Sequence, residues 1–204
     1  MSDSLIIKNE VDMTDNMLLS EDFKNKHKWE KHALIYYNSK IKYYDLYNSW
    51  DKTDHQTKII LCEDFYNTIF KNRAIDTGYS TMEANIAQAI LKKKPTKDHF
   101  QVARIALRAM MKHNREILKN EDDFLKVCET LAKVVEVTKE QNGEVKYSWK
   151  NKSIVITQLA IQKYNSYNWV NEYGKKINGA FPLNDEIYDW YTQFEKDNLN
   201  KVIA

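Results

Sequence analysis

The sequence predicts a mainly α-helical fold, a multi-helix bundle with one small β-hairpin and an N-terminal arm. Three observations lead there. Only 4 Gly and 2 Pro occur in 204 residues, too few for the many tight turns of a sandwich or barrel. Apolar and aromatic residues recur at helical spacing over a long stretch from Trp29 to Trp50. Only one strong hairpin signal is present: Asn142-Gly143, preceded by Val134, Val135 and Val137 and followed by alternating Val145, Tyr147 and Trp149.

Residues 1–19 read as an arm, with Leu5 to Ile7 and Met17 to Leu19 as apolar anchors in a polar stretch. The single helical domain spans 20–204. Its first helix follows Ser20 and runs to about Ser49. The second starts near Asp54 and stops before Gly78, with Ile59, Ile60, Phe65, Ile69 and Phe70 facing the core. Ser80 with Glu83 spells the capping box of a third, closed by Pro95. Thr96 caps a fourth, to about Leu118. Asn120 before Glu121, Asp122 and Asp123 sets a cap and three negative charges on the positive end of a fifth. The hairpin is expected over about 134–149. A helix opening at Ser153 or Thr157 then runs to about Tyr173, and Asn184 caps a last one. No internal repeat or long linker divides the chain.

The first helix carries the most aromatic surface. Trp29, Tyr36, Tyr43 and Trp50 recur every seven residues, with Ala33 and Tyr47 four after the first and third. Leu34, Tyr37, Ile41 and Tyr44 form a second stripe beside them. A helix apolar around most of its girth is expected to lie between its own domain and something else. Trp29, Tyr36, Tyr43, Tyr47 and Trp50 are therefore the predicted protein interface.

Charge is segregated beneath a near-neutral total of +2. Residues 92–119 hold nine basic and two acidic residues, a net of +7; residues 1–22 net −5, with six acids and one Lys; residues 184–197 net −4, with five acids and one Lys. On the fourth predicted helix Lys97, Arg104, Arg108, Lys112, Arg115 and Lys119, joined by Gln101, fall at spacings of three or four and predict one basic stripe. Three of the chain's 4 arginines lie on it, against a background of 27 lysines. Such a stripe suits an acidic protein surface or nucleic acid.

Motifs for chemistry are sparse. His27, Glu30 and His32 resemble a helical zinc motif, but His27 and His32 are five apart and diverge by about 140° on a helix. Cys62 and Cys128 read as small core groups of a reducing compartment. No glycine-rich phosphate loop, nucleophile elbow or Cys-x-x-Cys pair occurs. No catalytic residue, metal or cofactor is predicted. Neither a signal peptide nor an apolar run of about 18 residues is present, so a soluble protein, cytoplasmic or virion-borne, is expected. The expected function is a non-enzymatic interaction subunit of a larger assembly, homo-oligomeric or with other subunits. A virion or phage connector-type component is one version, suggested by small size, AT-rich composition and the absence of catalytic motifs. The alternative is a nucleic-acid-binding module that uses the basic helix with the hairpin as a wing.

Overall fold

A computed structural model describes residues 26–150 and 153–203; the predicted arm and the start of the first helix lie outside them. Helix predominates, but strands contribute more than one hairpin. In chain order the elements are α1 (Lys26–Ser49), α2 (His55–Ile69), β1 (Ile75–Thr81), α3 (Met82–Leu91), β2 (Thr96–Asp98), α4 (Ala103–His113), α5 (Glu121–Ala132), β3 (Lys133–Val137), α6 (Lys139–Asn142), β4 (Tyr147–Lys150), β5 (Ser153–Ile156), α7 (Ala160–Asn165), β6 (Trp169–Val170), β7 (Lys176–Ile177) and α8 (Asp189–Ile203). Short 3-10 turns cover Trp50–Lys52, Arg115–Lys119 and Asn184–Glu186.

The centre is a five-stranded sheet in the order β2-β3-β1-β6-β7. β1 and β3 are parallel, and the other pairs in this sheet are antiparallel. Val134, Val135 and Val137 are all fully buried, so β3 is covered on both faces, as an interior strand should be. α1 packs on α5 and α2, α2 on α4, and α4 on α8. Two aromatic clusters fill the core. Phe124 meets Tyr43 and Phe65 at ring-centre distances of 5.3 and 5.5 Å, and Phe181 meets Trp169, Tyr164 and Phe100 at 4.8, 5.0 and 5.4 Å.

Caps explain where several helices start. Asp54 accepts from the Thr57 backbone N–H at 3.0 Å at the head of α2, as the sequence predicts. Asn120 accepts from the N–H groups of Asp122 and Asp123 at the head of α5, also as predicted. Ser80 is not the cap of α3. It pairs with Val170 within the sheet, and Thr81 takes the cap one residue later, accepting from Ala84 N–H.

The sheet is the principal correction. The second predicted helix ends at Ile69, and Ile75–Thr81 crosses the domain as its central strand. Gly78 is a bulge within it: its φ is +76°, the register to β3 shifts between Asp76 and Ser80, and an added Cβ would stand 3.3 Å from Glu172 Cβ. Ile60, assigned to the core, is exposed. Thr96 lies in β2, and the helix after it begins at Ala103 and ends at His113.

The predicted hairpin over 134–149 does not form. Val134 and Val135 belong to the main sheet. Thr138 and Gln141 close a reciprocal capping box that winds residues 139–142 into helix. Gly143 has φ −86°, whereas a two-residue type I′ turn requires positive φ there. The two-stranded hairpin lies one element later, with Tyr147 opposite Ile156 and Ser148 opposite Val155. Ser153–Ile156, expected to enter a helix, is its second strand; α7 is confined to Ala160–Asn165, Gly174 sits in the β6–β7 turn at φ +72°, and Asn184 begins only a 3-10 turn ahead of α8.

Candidate functional site

α1 shows two opposed faces. Ile35, Ser39 and Leu46 are buried against the body, and the Ser39 hydroxyl lies beside the Cys128 thiol of α5. About 180° around the helix, Leu34, Tyr37, Ile41 and Tyr44 are 45, 40, 52 and 69 % exposed. Their spacing of three, four and three residues aligns them in one seam. Lys40 borders the seam on one side and Asp45 on the other, both exposed. The seam therefore has an aromatic and aliphatic centre between one positive and one negative edge.

The residues singled out as the interface occupy the flank between these faces. Tyr43 is structural: it donates to the carbonyl of Leu118 and stacks on Tyr47 at 5.6 Å. Trp50 is half-buried under the Lys58 ammonium at 5.4 Å. Tyr36 is exposed and lines a cleft of about 260 Å³ between α1 and α5, with His32 and Glu129. Tyr47 is exposed at the other end. The side chain of Trp29 lies outside those described. The more continuous exposed surface is the second stripe, Leu34, Tyr37, Ile41 and Tyr44, which the sequence placed beside the first but which was not the predicted interface.

The basic stripe does not lie along one helix. Lys97 is on β2, Arg104, Arg108 and Lys112 on α4, and Arg115 and Lys119 on a 3-10 turn. Gln101, read as part of it, is buried and clamps the approach to α8, donating to Glu186 O and accepting from Tyr188 N–H, each at 2.8 Å. The cations meet carboxylates of the same chain: Lys97 with Asp76 at 2.6 Å, Arg104 with Glu63 at 3.0 Å, Lys112 with Asp197 at 2.6 Å, Arg115 with Asp51 at 2.7 Å, and Lys119 with Glu116. Arg108 is half-buried and feels Glu63. The basic and acidic segments thus partly answer one another, because α4 packs on α8. The wing required by the nucleic-acid reading is instead the helical turn of α6.

Sequence reasoning missed a buried polar cluster beneath the β4–β5 hairpin. Lys163 Nζ lies 2.7 Å from Asp98 Oδ2, which also accepts from Tyr164 OH at 2.8 Å. Nearby, the Glu195 carboxyl accepts from Ala160 N–H at 3.0 Å and from Tyr147 OH at 3.3 Å, and the Tyr147 and Tyr191 hydroxyls are 3.0 Å apart. These residues are scattered over β2, β4, α7 and α8, and no local spacing announces them. Tyr147 opens onto a cleft of about 270 Å³ beside Arg104 and Tyr66. The cluster joins the hairpin and α7 to α8.

Burial pushes Glu195 from its ordinary 4.5 up to about 7. The native state therefore holds this proton more tightly than the unfolded chain. The resulting stabilisation is full below about pH 4.5 and is lost as pH rises through about 7, a swing of about 3 kcal/mol. Thermal melts of the wild type should fall relative to Glu195→Gln between pH 5 and pH 8. Parallel pH profiles for the two proteins would disprove the assignment.

Among the described residues no group of three His, Cys, Asp or Glu is placed to hold a metal ion. His32 pairs with Glu129 at 3.1 Å; the side chains of His27 and Glu30 lie outside those described. Cys62 and Cys128 are fully buried, and burial pushes both thiols up to about 12. Native protein should resist a maleimide and react fully in denaturant; rapid native labelling would contradict this. No helix among the described residues is long and apolar enough to cross a membrane. No protein-family model matches the chain, and no match is found among curated proteins or solved structures.

Proposed function

We propose that this protein is a non-enzymatic interaction subunit that assembles through the outer face of α1, with a second copy of itself as the first partner. The observation that carries the reading is the seam of Leu34, Tyr37, Ile41 and Tyr44 on the side of α1 turned away from its own core. Aromatic residues in such a seam bury large area while leaving a hydroxyl for the rim. The mixed edges favour self-pairing. When two copies of α1 lie parallel, Lys40 of each comes beside Asp45 of the other, the five-residue offset at which paired helices exchange salt bridges. Asn48, seven residues after Ile41, continues the seam with the kind of polar residue that fixes register in paired helices.

The nucleic-acid reading is weaker because most of the basic stripe already faces carboxylates of the same chain. Size-exclusion chromatography with light scattering over a concentration series tests the proposal. Mass should rise with concentration for the wild type and remain at 24.2 kDa for Ile41→Asp. A wild-type chain that stays monomeric throughout would refute self-assembly.

A further inference from the structure

α3 is a second surface whose chemistry differs from that of α1. Only Ala84 along it is buried, while Ile86, Ile90 and Leu91 are 48, 71 and 60 % exposed. The helix ends on Lys92 in the left-handed conformation, φ 54°, and runs into Lys93 and Lys94, all three exposed. Lys92 Nζ donates to Ala89 O at 3.1 Å. None of the three lysines forms an ion pair with a described residue. The result is an apolar patch with three lysines at its C-terminal end, where Lys93 is close enough to the Glu140 carboxyl to help hold it low, and with Glu83 at the opposite end of the helix.

A second copy paired in parallel fits this patch poorly, since parallel two-fold pairing would bring one lysine triplet towards the other. It calls for an apolar segment flanked by acids. We infer that residues 1–15 of the same chain dock here, with Leu5, Ile6 and Ile7 on the Ile86, Ile90 and Leu91 patch and Asp3 and Glu10 towards Lys92–Lys94. The sequence supplies both halves of the match: three consecutive apolar residues, an acid two residues before them and another three after.

Length permits docking within one chain. The described chain begins at Lys26, and Lys31 lies close enough to β1 to help hold the Asp76 carboxyl low. From Asp76 the seven-residue β1 leads over about 20 Å to α3, and the ten-residue α3 adds about 15 Å. Ile7 is 19 residues before Lys26, a reach of about 60 Å when extended. A tether of that length holds its end at millimolar-range effective concentration, enough to populate a contact weaker than the α1 pairing. The inference does not depend on that pairing.

The test uses the full chain. Because Cys62 and Cys128 are buried, a nitroxide can be placed selectively on Ser4→Cys in uniformly ¹⁵N-labelled protein kept dilute. Loss of amide intensity should concentrate on residues 84–94 and weaken as salt is raised. Lys92→Glu with Lys93→Glu and Lys94→Glu should restore those signals while core resonances stay in place, and Ile90→Glu should do the same independently. Intensity loss that falls instead on residues 34–44, or that both variants leave unchanged, would overturn the inference. So would loss arising only when the tag is on an unlabelled chain mixed with labelled untagged protein, which would put the segment on another copy.

Discussion

Replacing Lys163 by Met is expected to remove about 3–5 kcal/mol of folding stability. Lys163 is 1 % exposed, and its ammonium lies 2.7 Å from an Asp98 side chain that is itself only 12 % exposed. Met fills much of the same volume but leaves the Asp98 carboxyl with Tyr164 OH as its remaining close donor. A buried group stripped of its partner costs more than the intact pair contributed. For a chain of this size the loss lowers the melting temperature by roughly 10 °C. Adding Asp98→Asn should recover part of it, since the uncompensated charge is removed. Urea unfolding of the single and double variants checks both statements; a Lys163→Met protein within 1 kcal/mol of wild type would show that water enters the site and screens it.

Two neighbouring tyrosines on α1 should separate assembly from folding. Ile41→Asp with Tyr44→Ser is expected to weaken self-association about 100-fold, near 3 kcal/mol, and to leave the thermal melt of the monomer nearly unchanged. Tyr43→Ala, one residue away, should do the reverse. Its ring packs on Phe124 and Tyr47 and its hydroxyl is taken by Leu118 O, so truncation opens a cavity worth about 2–3 kcal/mol of stability. Analytical ultracentrifugation and thermal melts on the same samples give the two readings. Association lost in Tyr43→Ala but retained in the Ile41 and Tyr44 double variant would place the interface on the other side of the helix.

The α3 patch bears on both results. A chain whose residues 1–15 cover α3 presents mainly the α1 seam to other copies, which favours a closed two-fold pair over open-ended stacking. Deleting residues 1–19 is expected to leave the helical circular-dichroism signal and the melting temperature nearly unchanged, and comparison of its mass distribution with that of the full chain shows whether the segment limits or promotes assembly. If the truncated chain unfolds, those residues belong to the core.

What the sequence determined by itself is local. Asp54 and Asn120 cap helices because their side chains bond backbone N–H groups two or three residues away, a relation that spacing alone displays. The end of α1 at Ser49 and the dominance of helix were legible from apolar periodicity and the scarcity of Gly and Pro. The strands were not. Ile75–Thr81 is a strand because β3 and β6 lie on either side of it, and Asp76, Gly78 and Ser80 interrupt the strand preference of Ile75, Thr77, Tyr79 and Thr81. Asn142-Gly143 looks like a hairpin turn until the Thr138–Gln141 capping box competes for the same residues. Periodicity placed aromatic residues around nearly the whole of α1, so it could not say which side would dock; Ser39, polar in sequence, proved to be on the buried side, beside the Cys128 thiol of α5. The basic stripe and the Glu195 cluster carry the same lesson in charge. Lys112 is in the middle of the sequence and Asp197 near its end, and only the packing of α4 on α8 brings them within 2.6 Å, because electrostatic and packing energies depend on distance through space and not along the chain.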